Sequence, residues 1–289
     1  MKLEPTGKPP IGETSSAMLS AMMDEAAIVQ RRTGETPRDY LGGSRLGETC
    51  ERRLGYEYTH AKADEGSDFS GRALRVFQRG HDGEARMARY VRLAGFDLVT
   101  ERPAPDGGEP RQIGWGVAPD PETGRPRIAG HLDGVILGWK LPEGGDPNSP
   151  HALWAGELSF PALWESKCLK AESWRSLYKH GLRKDKPDYF AQVQVYMAFK
   201  GLAWALFTAE NADTCEVYAE IVLFDVRAAQ AASDRGLRVV TAPFPEALPR
   251  ACREPDDHTG LFCPYRERCW TTAPKAQAKG ANVAVRVSW

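Results

Sequence analysis

The run "LWESKCL", Leu163 to Leu169, sets a glutamate and a lysine two residues apart inside an otherwise apolar stretch. A strand alternates its faces with period two, so Glu165 and Lys167 share one face, while Trp164, Ser166 and Cys168 take the other. An unpaired buried charge is costly. The run therefore has two readings: an ion pair at a sheet edge, or charges gathered around a bound metal.

The chain has 289 residues, enough for one large domain with insertions or two small ones, and its 42% hydrophobic content supports a sizeable core. It contains no apolar run of transmembrane length, which excludes a spanning helix. The opening "MKLEPTGKPPIGETSS" lacks the apolar centre of a signal peptide, so a cytoplasmic protein is expected. Six cysteines in that compartment are thiols or metal ligands rather than disulfides. A net charge of −1 gives no global pull toward nucleic acid or anionic membrane, so any DNA-binding surface must be local. Residues 167–186 are one candidate, with seven Lys or Arg against two acids; a solvated face is the other reading of that run.

Along the chain, residues 17–31 read as a Met-rich amphipathic helix, and Ser44 or Thr49 is placed to cap a short helix. Residues 72–94 read as a helix stopped by Gly95. "FDLVTER", "IAGHLDGVILGW" and "ALWESKCL" read as strands, with a Gly- and Pro-rich excursion before the third. Pro187 opens a helix to about Lys200, "EVYAEIVLFD" is a strand, and five prolines make residues 243–264 irregular. Strands and helices are intermixed, which gives an α/β or α+β class around a central sheet. The expected division is an N-terminal helical segment over 1–40, a main domain over 41–270 and a tail over 271–289.

Asp133, in "GHLDGVI", stands on one predicted strand and Glu165 with Lys167 on the next. Two acids on neighbouring strands can share one Mg²⁺ or Mn²⁺, which stabilises charge on a phosphate and lowers the pKa of a bound water. Lys167 then orients that water or neutralises the phosphorane. Asp133, thirty-one intervening residues, and Glu165-Ser166-Lys167 resemble the PD-(D/E)xK nuclease superfamily, with Leu132 in place of the proline. Two further features fit the RecB-like and lambda-exonuclease-like branch. Glu84 lies four residues after Gly80 and shares a helix face with Met87, Ala88 and Val91, with His81 as a competing ligand. Gln192 and Tyr196 resemble the QxxxY motif. The order Glu84, Asp133, Glu165-x-Lys167, Gln192-x-x-x-Tyr196 is the family's order. A long insertion separates Asp133 from Glu165 where relatives have a short hairpin. The resemblance implies an α/β restriction-endonuclease-like core with a central mixed sheet flanked by helices.

Cys168 and Cys215 read as core residues. Cys50 before the core and Cys252, Cys263 and Cys269 after it resemble the iron–sulfur members, the AddB-type nuclease domains and the CRISPR-associated adaptation exonucleases. That likeness implies a [4Fe–4S] cluster joining the N- and C-terminal segments. Here eleven positions separate Cys252 from Cys263, where relatives have C-x2-C. Zinc, with His258 as a ligand, or no metal are the alternatives.

The expected function is a Mg²⁺- or Mn²⁺-dependent DNA exonuclease acting on single-stranded or duplex ends. Recombination, end processing or phage or CRISPR-associated adaptation is the expected setting, with a partner protein from that machinery. Catalysis falls to Glu84, Asp133, Glu165, Lys167, Gln192 and Tyr196. Arg45, Arg52, Arg53, Lys170, Arg175, Lys179, Arg183 and Lys184 are the expected phosphate contacts. The alternatives are a site-specific or structure-specific endonuclease and a non-catalytic DNA-binding or assembly subunit on the same fold.

Overall fold

The computed structural model describes residues 13–34 and 38–271, so the expected tail lies outside the described residues except for Thr271. The first helix, α1 (Glu13–Gly34), is longer than its predicted core. After β1 (Leu41–Gly42) comes α2 (Glu51–Tyr58), whose N-cap position is Cys50 rather than Ser44 or Thr49. Then α3 (Gly71–Leu93) starts where Ser70 Oγ accepts from the Ala73 N–H. It ends before Gly95 at φ 93°, where an added Cβ would lie 2.0 Å from the Lys140 carbonyl oxygen. Arg75 of α3 pairs with Asp24 of α1 at 2.7 Å, fixing the two helices together.

Five strands follow: β2 (Phe96–Val99), β3 (Glu101–Arg102), β4 (Arg111–Gln112), β5 (Gly114–Pro119) and β6 (Pro126–His131). Next are β7 (Gly134–Trp139), α4 (Pro150–Gly156) and β8 (Ala162–Leu169). The crossover α5 (Ala171–His180), α6 (Leu182–Asp185) and α7 (Pro187–Lys200) leads to β9 (Trp204–Asn211) and β10 (Val217–Leu223). The described chain closes with α8 (Val226–Thr241), α9 (His258–Leu261) and α10 (Arg266–Thr271).

The main sheet has the order β10-β9-β8-β7-β2; β8 and β9 run parallel and the other pairs antiparallel. Helices cover both faces of its centre, which is why β8 and β9 are apolar almost throughout. On one face Ala162, Trp164, Trp204 and Leu206 meet Met87, Ala88 and Val91 of α3. On the other, Leu163, Ala205 and Phe207 join the larger core with Leu177 of α5 and Val193 and Met197 of α7. The architecture is thus a mixed α/β fold around a central mixed sheet. No helix among the described residues is long and apolar enough to cross a membrane.

The stretch 128–139, expected as one strand, is two. β6 belongs to a separate sheet of order β1-β6-β5, and the chain leaves it at Leu132-Asp133 to enter the main sheet as β7. That break shapes the site. β7 pairs with β8 only from Gly134–Trp164 to Ile136–Ala162, so from Glu165 onward β8 keeps a single sheet neighbour, β9.

Candidate active site

Where β7 and β8 part, the Ser166 N–H has no strand partner on that side. It donates instead to Asp133 Oδ2 at 2.8 Å, which holds the carboxylate in the gap. At the preceding position of β8, Glu165 is wholly buried and ion-paired with Lys167, and its Oε1 also accepts from Gln192 Nε2 of α7 at 2.6 Å. Glu165 Oε2 is buried with no hydrogen-bond partner. The shared strand face expected for Glu165 and Lys167 is therefore present, on an interior strand at the point where it loses one of its two neighbours. Lys167 also lies 5.3 Å from the centre of the Tyr189 ring, a cation–π contact that sequence reasoning missed.

The charges act on one another. Burial first, then Asp133, pushes the Glu165 carboxyl up to about 8, against the pull of Lys167. Burial and Asp133 likewise push Glu84 up to about 7. Burial also raises Asp133, opposed by Lys167 and the Ser166 N–H. Lys167 goes the other way for a buried amine: desolvation would lower its pKa, but Glu165 and Asp133 outweigh it and hold the ammonium charged. Three carboxyls are thus crowded about one cation.

A cleft of about 860 Å³ opens onto this group, lined by His81, Glu84, Asp133, Lys167, Gln192 and Tyr196 together with Arg38, Tyr40, Arg45, His131 and Tyr189. Glu84 is half-buried and His81 exposed, one turn apart on α3. Tyr196 is buried, edge to face with Trp115 at 5.7 Å, so packing occupies much of its ring. As placed, no three His, Cys, Asp or Glu side chains among the described residues stand close enough to hold a metal ion. Lys167 already provides the positive charge that Glu165 and Asp133 require.

The arginines divide differently from expectation. Arg52 is corrected from a phosphate contact to a buried clamp: its Nε and Nη2 donate to the Leu248 and Glu246 carbonyls, both at 2.9 Å. Arg53 pairs with Glu48 and Glu57. Arg45 lines the cleft but shares the same two acids, its Nε donating to Glu57 at 2.9 Å. Lys170 pairs with Glu172 and Arg183 with Asp225, and neither they nor Arg175, Lys179 or Lys184 line the cleft. Arg38 and Arg92 do line it, and local charge density in the sequence did not single them out.

Outside the cleft, Cys50, Cys252, Cys263 and Cys269 all line one small cavity, walled by Tyr56 and Trp270. The ten-residue loop between Cys252 and Cys263 folds back through α9, where Asp257 accepts from the Gly260 N–H at 2.7 Å. Burial raises the Cys252 and Cys263 thiols, and each also feels Cys50 and Cys269. His258 packs on Phe262 and does not line the cavity.

No protein-family profile matches the sequence, and no curated protein does. Among solved structures, the crystal structure of SSO0001 overlaps with a TM-score of 0.46 at 10% identity, covering 86% of this chain and 94% of that one. An alkaline exonuclease (LHK-Exo) from Laribacter hongkongensis overlaps with a TM-score of 0.40 at 17% identity, over 71% of this chain and 87% of its own. The same enzyme in complex with dAMP gives 0.41 at 17% identity, over 70% and 86%. Overlaps of this extent fix neither substrate nor reaction.

Proposed function

We propose that the chain is a metal-dependent deoxyribonuclease that removes nucleotides from DNA ends. The observation carrying this is the parting of β7 and β8, which sets Asp133 and Lys167 with Glu84 on the wall of one open cleft and leaves Glu165 buried behind them, paired with Lys167. The chemistry of the donor set suits a divalent oxygen-seeking cation: three carboxyls have raised pKa values and one has a buried oxygen lacking any partner, and an ion would have to draw these side chains closer together than they stand. Glu84, Asp133 and Glu165 would hold Mg²⁺ or Mn²⁺, with His81 at the rim. When bound, the ion would neutralise charge on the scissile phosphate and acidify a water. Neutralising the carboxylates frees the Lys167 ammonium to turn its protons toward the phosphate oxygens and the attacking water. Gln192 fixes the Glu165 carboxylate, and the Tyr189 ring holds Lys167 from the other side. End-labelled linear and closed circular DNA incubated with Mg²⁺ or Mn²⁺ tests the reading. Digestion of the linear form alone is expected. Nicked circles mean an endonuclease, and intact DNA throughout means a non-catalytic DNA-binding subunit.

We infer also that the four cysteines hold a [4Fe–4S] cluster. Four free thiols lining one cavity support this, and a cluster would have to draw them closer together than they stand. The absence of His258 from the cavity wall weakens the mixed zinc alternative. The cluster would tie α2 to the segment after α8. Protein purified without oxygen should be brown, with about four irons per chain, and Cys252→Ser should bleach it. Zinc in that preparation would overturn the assignment.

A further inference from the structure

The cleft carries an aromatic corner that the catalytic reading does not use. Tyr40 and His131 stand with ring centroids 6.5 Å apart and planes at 62°, and both line the cleft beside Asp133 and Lys167. His131 is exposed and Tyr40 half-buried, so the phenol backs an imidazole open to the cleft. The sheet fixes both: Tyr40 directly precedes β1, His131 ends β6, and these strands pair in parallel, Leu41 opposite Ile128. Arg38 is exposed, lines the same cleft and lies near enough to His131 for its charge to act on the ring. It has no ion-pair partner among the described residues. His131 precedes Asp133 by two residues, roughly 7 Å of extended chain at about 3.3 Å per residue. A base resting on this corner therefore belongs to a nucleotide at or beside the scissile phosphate.

We propose that Tyr40 and His131 stack an unpaired nucleobase at the active site while Arg38 contacts the adjoining backbone phosphate. This deepens the nuclease reading and rests on it: the substrate is a single strand, or a duplex end opened by at least one base. Stacking on an aromatic side chain needs a base free of its own duplex stack, and it tolerates all four bases because each has a π-face.

The test is a binding scan in Ca²⁺ with single-stranded oligonucleotides in which one abasic nucleotide is moved stepwise along the strand. On the intact oligonucleotide His131→Ala should weaken binding about 5- to 150-fold, and His131→Phe should restore it. One abasic position should weaken the wild type to the level of His131→Ala and leave that variant unaffected. An equal penalty for His131→Ala at every abasic position, or failure of His131→Phe to rescue, overturns the corner. Cleavage in Mg²⁺ is measured separately, so a protein that binds with this base dependence yet cuts nothing sinks the nuclease reading instead.

Discussion

Glu165 is fully buried, with one oxygen committed to Lys167 and Gln192 and the other without a partner. Burial and the nearby Asp133 push its carboxyl up to about 8 and that of Glu84 up to about 7, against an ordinary value of 4.5. In metal-free protein the folded chain therefore keeps protons that the unfolded chain has already released. Stability must fall as pH rises between about 5 and about 8, because the native state binds more protons across that window. Thermal unfolding in chelator should show a falling Tm over this range, and Glu165→Gln should flatten the fall. A rising Tm in the same window contradicts the crowding of these carboxyls. Mn²⁺ should raise Tm most at the alkaline end, since the ligands must be deprotonated to bind it. These residues were legible in the sequence because a charge inside an apolar periodic element breaks its pattern; Glu84 beside Met87, Ala88 and Val91 is such a break. Tyr40 and His131 break no pattern and reach the cleft through the pairing of β1 with β6, and Tyr189 reaches it through the packing of α7 on the sheet. Arg52 misled for the opposite reason: the sequence displays its charge but not the carbonyls of Leu248 and Glu246 that use it.

Elements were read best where local signals agreed. β8 matches the "ALWESKCL" strand, and α7 runs from Pro187 to Lys200, closed by Gly201 in the left-handed region at φ 65°. The break between β6 and β7 was hidden because residues 128–139 contain no proline and read as strand on both sides of Leu132; it exists only because β1 and β8 recruit the two halves to different sheets. The helix α4 was lost inside a Gly- and Pro-rich stretch, although Ser149 caps it through the Ala152 N–H. Gln194 shows what an element-level polar residue does here. It is wholly buried on α7, its Nε2 donating to the Leu223 carbonyl at 3.0 Å and its Oε1 accepting from the Asp225 N–H at 2.6 Å. It thus fastens α7 to the turn between β10 and α8. Gln194→Leu removes the partners of the Leu223 carbonyl and the Asp225 N–H, both part-buried, and should cost about 1 kcal/mol. Chemical denaturation measures this, and DNA cleavage at temperatures well below the transition should be unaffected. An unchanged denaturation midpoint would show that the turn finds other partners.

Over the whole molecule the charge nearly cancels, at −1, so any DNA path must follow a local strip. The densest basic run, 167–186, supplies only Lys167 to the cleft. Arg175 and Lys179 of α5 and Arg183 and Lys184 of α6 are exposed outside the cleft, so a path through the cleft would not use them. Reversal of Lys179 and Lys184 should leave the slope of log affinity against log salt unchanged. Arg38→Glu should flatten it by about 0.7 or more for a single strand. The reverse pattern would return the path to α5 and α6. The central claim, that the parted strands form a phosphodiester-cleaving centre, is tested most directly at Lys167. Single-turnover cleavage of end-labelled DNA in Mg²⁺ is compared for the wild type and Lys167→Ala, with DNA affinity in Ca²⁺ measured on both. The account predicts a rate lower by about 10²-fold or more with affinity nearly unchanged, since the ammonium acts mainly in the transition state. A Lys167→Ala protein that cleaves at the wild-type rate would contradict it.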